Sequence, residues 1–407
     1  MHGFVQNPGA VLLYFGKKIK TMKLQTLSAI VFLSSILTTT YSQNIIPFSD
    51  KRWKVVGQGQ MTEFYKGYEC IYLRGARATL PDVQFLNGII EFDMCLTEQT
   101  AFAGLFFRQT DPGNYEEFYF RAHQSGRPDS YQYTPVFNGD PAWQLYHDQF
   151  DAVNDGYIHW KPRAELNGFN GVIEYPFERW VHVKLLVKND RAELYYDNNP
   201  EPAAVIKKLL QEQKAGAIGV YCNVSAMRFA NFSYTQTNDV VLKKNEDALN
   251  SIPANSILNW QVSNSFKEDV LKDKNLLDAA FVNKLKWTKL GTENGGFANL
   301  ARLSPVTDSN TVLAKITVVS DKEQVKKLDF GYSDRVKAFC NGQAIYSGNN
   351  NFRTRDYRYL GTIGYFDAIY LPLKKGENTV ILAISETFGG WGVMGKWENM
   401  DGIQVKE

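Results

Sequence analysis

The sequence predicts an all-β chain of two β-sandwich (jelly-roll) domains in tandem, and three observations carry that prediction. Alternation of apolar and polar residues recurs in the first half, as in "YEEFYFRAH" (115–123) and "WVHVKLLVKNDRAELYYD" (180–197), and a second strand-rich block follows it. That period of two is the mark of strands with one buried face. Aromatic residues make up 14% of the 407 positions, and they favour strands. Segments of helical period are nearly absent, "AAVIKKLLQEQK" (203–214) being the main exception. Many short strands joined by polar turns fit sandwiches, and this length suits two domains.

From the N-terminus, "MKLQTLSAIVFLSSILTTTYSQN" (22–44) has a lysine, an apolar run from Leu27 to Leu37, and small residues at Thr40 and Ser42. This is the layout of a secretory signal peptide cleaved after Ser42, with Met22 as the expected start. The run is shorter than the roughly 20 residues a membrane-spanning helix needs. Removing residues 1–42 takes away four lysines and no acid, which turns the formal charge of +2 slightly negative. The expected product is secreted or periplasmic, with no membrane span. Gln43 stands where a lipoprotein would need cysteine, so no lipid anchor is expected.

The first domain is expected over 45–235. Its strands are "ECIYLRG" (69–75), "NGIIEFDMCL" (87–96), "FAGLFFRQ" (102–109), 115–123, the hairpin 180–197 turning at "KND", "AGAIGVYC" (215–222) and "MRFANFSYT" (227–235). Residues 236–256 are polar, carry a proline and read as a linker with one helical turn. The second domain, 257–407, has strands in "ILNWQVSNSF" (257–266), "TVLAKITVVSD" (311–321), "KKLDFGYSDRVKAFCNGQAIYSG" (326–348), "NTVILAISETFGG" (378–390) and "DGIQV" (401–405).

Composition and motifs exclude several functions. Basic residues are scattered and the net charge is small, so no nucleic-acid partner is expected. There is no GxSxG, P-loop or HExxH motif. Cys70, Cys95, Cys222 and Cys340 are far apart and lack CxxC spacing, which argues against zinc. Each sits among apolar strand residues as a small hydrophobe, so few or no disulfides are expected, Cys70–Cys95 being the first candidate.

Two resemblances add to this. "FAGLFFRQTDPGNYEEFYFRAHQ", "FERWVHVKLLVKNDRAELYYDN" and "GAIGVYC" resemble a concanavalin A-like, laminin-G-like jelly roll. That superfamily includes lectins, polysaccharide hydrolases and lyases, and adhesive modules. Its hydrolases carry an ExDxE-type strand that is not found here, which counts against their mechanism. "RVKAFCNGQAIYSG" and "LPLKKGENTVILAISETFGGWG" resemble a galactose-binding-like sandwich.

The candidate site is the polar side of 115–123. If Phe118 and Phe120 face the core, Glu117, Tyr119, Arg121 and His123 form a row on the opposite face, with Arg108 from the neighbouring strand. A loop over that face would add Tyr133, Asn138, Trp143, Gln144, Tyr146 and His147. A sugar needs aromatic faces for its apolar side and bidentate partners for vicinal hydroxyls, and these residue types supply both. The plain alternative is a solvated strand with cross-strand ion pairs. The expected function is therefore an exported carbohydrate-binding protein, its partner an oligo- or polysaccharide. The alternatives are a glycoside hydrolase or lyase, and an adhesion module with protein partners. Catalysis would make Glu117 and His123 the acid and base, with Asp148, Asp151 or Glu165 as a second carboxyl. Trp391 and Trp397, in a glycine-rich loop, are either stacking platforms or core anchors. "GNNNFRTRDYRYLG" (348–361) offers Arg353, Arg355, Asp356 and Arg358, by default a solvated cluster. No cofactor is expected beyond a structural Ca²⁺ at the oxygen-rich turns "TDPGN" (110–114) and "DNNPE" (197–201), which also read as ordinary turns.

Overall fold

Alternation becomes burial along strands such as 68–85, 180–188 and 367–373 of the computed structural model, which describes residues 45–152, 158–161, 163, 166, 168–244, 246–247, 251–355 and 360–406. The segment expected to be a signal peptide, and Glu165, Asp356 and Arg358, lie outside the described residues, as does the side chain of Asp151.

The first sandwich is built from β1 (Lys54–Tyr65), β2 (Tyr68–Phe85), β3 (Gly88–Cys95), β4 (Phe102–Asp111), β5 (Asn114–Phe120) and β6 (Tyr131–Val136). There follow β7 (Gln149–Ala152), β8 (Ile158–Lys161), β9 (Asn170–Gly171), β10 (Trp180–Lys188), β11 (Arg191–Tyr196), β12 (Ala204–Ile206) and β13 (Gly216–Gln236). The hydrogen-bonded order is β12-β11-β10-β3-β13-β4-β5-β6-β9, and β2 also pairs with β13. β13 joins the two layers. Its first half pairs with β4 and its second half with β3, with register shifts that include one between Cys222 and Ala226. A bulge there lets one strand bend from one sheet into the other.

Between the layers lie Ile90, Phe92, Met94, Phe118, Phe120, Val183, Leu185 and Phe229, all buried. Full burial of each such side chain is worth about 1.5–3 kcal/mol. The helical period of 203–214 is not realised. Ala204 and Ile206 are buried two positions apart on β12, which pairs with β11, because an edge position was open there. The linker has no helix among its described residues. It docks on the first sandwich instead, with Val240 buried and the Lys243 and Lys244 amides donating to the carboxylate of Glu193.

The second sandwich stacks a sheet of 287–291, 259–263, 311–320, 376–385, 335–340 and 343–349 on a four-stranded sheet of 297–299, 392–397, 324–333 and 367–373; strand 403–406 pairs with 311–320. Trp260, Phe330, Leu382, Trp391 and Trp397 fill the space between. All four cysteines are buried free thiols. Among the described residues no helix is long and apolar enough to cross a membrane.

The two sandwiches meet along a hydrogen-bonded seam. The Gln144 amide donates to Gly389 O (2.9 Å), the Ile363 amide to Gln144 O (3.1 Å), and the Trp391 amide to Asp140 Oδ2 (3.1 Å). The loop after β6 is thus held from the second sandwich's side, and that fixes one edge of the candidate site.

Candidate functional site

β5 divides its side chains as the alternation requires. Phe118 and Phe120 enter the core, while Tyr115, Glu117, Tyr119 and, just past the strand, Arg121 lie on the outer face. Register brings neighbours to that row. Glu117 is opposite Phe106 on β4 and Thr134 on β6, Tyr119 is opposite Gly104 and Gln132, and Tyr221 of β13 is opposite Arg77 of β2. Gly219 is required between them. A Cβ there would stand 2.1 Å from Ala78 O and 2.5 Å from the Phe106 ring.

The face is an aromatic bed with a few charges set into it. The Arg77 guanidinium lies 4.2 Å from the Phe106 ring centre and 4.4 Å from that of Tyr115. Glu117, 6% exposed, accepts from Thr134 Oγ1 at 3.2 Å. Burial raises its pKa, and the nearby Arg77 charge opposes the rise. Tyr119 donates to Gln132 Oε1 (2.6 Å) and accepts from Arg121 Nη2 (3.0 Å), and burial pushes its pKa up to about 12. Arg121 is itself clamped, 2.5 Å from Asp129 Oδ2, with both side chains 6% exposed. His123 packs edge-on to Phe102, with centroids 5.3 Å apart. Burial and the Arg121 charge lower its pKa, so it is neutral near pH 7.

Trp143 closes one side. Its backbone carbonyl accepts from Gln132 Nε2 (3.0 Å), and its ring lies 5.9 Å from the Arg121 guanidinium. Beyond it stand two rings of the second sandwich, Phe388 at 6.0 Å and Phe352 at 6.3 Å. Both are well exposed, and Arg353 lies 4.9 Å from the Phe352 ring. The site is therefore composite, with a floor from one sandwich and part of its rim from the other.

Glu117, Tyr119, Arg121, His123 and Trp143 are brought together. The other expected residues are not, and each has a physical reason. Arg108 takes φ 52° where the β4–β5 register breaks, so its side chain turns inward, 1% exposed, and donates to Leu86 O (2.9 Å). Tyr133 pairs with Phe118 and so belongs to the core side, where it donates to Glu116 Oε2 (2.6 Å). Asn138, Gln144 and Tyr146 lie in the seam. Asn138 donates to Ala301 O, Gln144 to Leu360 O, and Tyr146 to Glu293 Oε2. His147 is fully buried, and desolvation lowers its pKa to about 4. Trp391 and Trp397 are core anchors, 0% and 2% exposed, with no free ring face. Arg355 is paired with Asp367.

The second carboxyl needed for hydrolysis is not found in Asp148, whose oxygens accept from the Arg163 amide and Asn170 Nδ2. The oxygen-rich turns are used internally: Asp111 accepts from the Gly113 amide and Asn114 Nδ2, and Asp197 binds Arg179. Among the described residues no group of three or more His, Cys, Asp or Glu is placed to hold a metal ion.

Sequence reasoning missed Arg77, Phe102, Phe106, Tyr221, Phe352 and Phe388. Strand pairing collects the first four from segments far apart in the chain, and the seam brings in the last two.

No protein-family model matches the chain, and no curated protein matches it in sequence. Among solved structures it is similar to a Bacillus subtilis protein of unknown function with a galectin-like fold, at 11% identity and a TM-score of 0.31, over 48% of this chain and 98% of that one. It is also similar to carbohydrate-binding module CBM66 of Bacillus subtilis, at 12% identity and a TM-score of 0.30, over 46% and 96% of the two chains. A third is the β-glucanase of Bacillus licheniformis, at 10% identity and a TM-score of 0.28, over 49% and 99%.

Proposed function

We propose that the composite face binds a carbohydrate without cleaving it, and that the protein does so after export. One observation carries this reading: Glu117, Tyr119, Arg121, His123 and Trp143 share one face with the exposed rings of Phe388 and Phe352. Flat rings bordering clamped hydrogen-bonding groups suit a sugar, whose ring has an apolar side and a hydroxyl-bearing edge. Arg77 and Glu117 supply a donor and an acceptor to adjacent hydroxyls, and Tyr115 and Trp143 supply stacking surface.

Binding is favoured over hydrolysis because, among the described residues of the face, Glu117 is the one carboxyl outside an ion pair. Asp129 borders the face but is neutralised by Arg121, and two-carboxylate hydrolysis needs both groups available. Export rests on the leader-like segment 22–42, and N-terminal sequencing of the natural product tests it, a start at Gln43 being expected. The binding reading is tested by a glycan-array screen of residues 43–407, followed by product analysis of every retained glycan. Retention with intact recovery is expected. Cleavage products that vanish in Glu117→Gln would establish a hydrolase or lyase instead, and silence across the array would favour a protein-binding module.

A further inference from the structure

The opposite outer face of the first sandwich carries a groove that the reading above does not use. We propose that this groove, running along β10 from Trp180 to the docked linker, is a second binding site for a neutral glycan chain, so that one molecule engages two chains. Its ligand class rests on the carbohydrate reading, and its geometry does not.

Along β10 the residues pointing away from the core are Trp180, His182 and Lys184, alternating with buried Val181, Val183 and Leu185. From Trp180 to Leu186 the strand covers about 20 Å at roughly 3.3 Å per residue. Two clefts of about 370 and 310 Å³ lie along this line, and both are bordered by His182 and Asn198. The first reaches Tyr195 and Pro200; the second reaches Trp180 and Tyr68. At the far end Leu186 stands opposite Glu193, where the linker binds through its Lys243 and Lys244 amides.

The chemistry fits a neutral polyhydroxylated chain. His182 stands between two carboxylates, with Nδ1 2.8 Å from Asp93 Oδ1 and Nε2 3.3 Å from Glu91 Oε1. The bonds to Asp93 and then Glu91 raise its pKa to about 9, so the imidazole is charged at neutral pH. Lys184 also faces Glu91, and Arg179 forks onto Asp197. Glu91, Asp93 and Asp197 thus each have a basic partner, so the charges lining the two clefts are paired. The groove presents alternating donors and acceptors, flanked by Trp180 and by Tyr68, whose rings meet edge-on at 5.5 Å. A solvated strand face does not need its acids nearly covered, yet the Glu91 and Asp93 side chains are each only 14% exposed.

The test is titration calorimetry of residues 43–407 with hexasaccharides of cellulose, xylan, mannan and arabinan, one at a time. Two equivalents of one hexasaccharide are expected. His182→Gln and Trp180→Ala should each weaken one equivalent at least tenfold, and the double variant Glu117→Gln/Trp143→Ala should weaken the other. Because Trp180→Ala removes packing against Tyr65 and Tyr68, the His182 ring resonance is followed as well; saturating hexasaccharide should shift it in the unmodified protein. One equivalent that survives His182→Gln and disappears in the double variant would overturn the groove and leave the composite face standing. One equivalent with the reverse pattern would support the groove and overturn the composite face. No binding to any of the four would overturn both.

Discussion

Trp143 of the first sandwich and Phe388 of the second stand with ring centres 6.0 Å apart, so the aromatic rim of the candidate site is shared between the sandwiches. The Thr387 and Phe388 amides donate to Asp334 Oδ2, and the Gly390 amide to Glu386 Oε1, which fixes the segment that presents Phe388. One short loop thereby carries both a rim residue of the candidate site and part of the seam.

Phe388→Ala should weaken glycan binding without weakening the fold. The ring is 59% exposed and contributes little to the core. Loss of one aromatic contact is worth about 0.5–1.5 kcal/mol, or roughly two- to twelvefold in affinity. Calorimetry with the retained glycan and a thermal melt measure the two effects separately.

Trp391→Ala should do the reverse. The side chain is fully buried, its indole nitrogen donating to Ile384 O at 3.1 Å, and truncation of such a residue costs about 3–5 kcal/mol. Denaturant unfolding should show that loss, while the folded fraction keeps its glycan preference. A changed preference at unchanged stability would restore Trp391 as a binding platform.

Arg121→Met should destabilise the protein by about 3–5 kcal/mol, because it leaves the Asp129 carboxylate buried without its partner. The double variant Arg121→Met/Asp129→Leu should recover most of that loss. Both are read by urea unfolding, and glycan binding should be weakened in both, since Tyr119 loses the group that orients its hydroxyl.

Stability should fall as pH rises from about 4.5 to about 7, partly because of Glu116. Burial raises its pKa to about 7, against donors from Tyr133 and the Gln211 amide. The folded protein therefore keeps a proton that the unfolded chain releases above its ordinary value of 4.5. The stabilisation is fully present below that value, declines as pH climbs to about 7, and does not return above it. Glu116→Gln keeps an acceptor for Tyr133, so its melting temperature should fall less between pH 4.5 and 7.5 than that of the unmodified protein.

Much of this was legible in the sequence. Alternation over 115–123 was enough to send Phe118 and Phe120 inward and Glu117 and Tyr119 outward, because a strand allows no other division. The hairpin at Asn189 was readable for the same reason, with a turn residue between two alternating runs. What failed was information carried by pairing. Tyr133 has the chemistry of a ligand residue, but its place opposite Phe118 sets its side. Arg108 follows the apolar run 102–107, but a break in register turns it inward. Phe352 and Phe388 lie more than 200 positions from Trp143 and reach it through the seam, which no local pattern encodes.

The most direct test is a crystal structure of residues 43–407 soaked with a glycan retained on the array. A sugar ring seated between Trp143 and Phe388, with a hydroxyl in hydrogen-bond reach of Glu117, is the expected result. A sugar bound elsewhere while this face stays empty would contradict it.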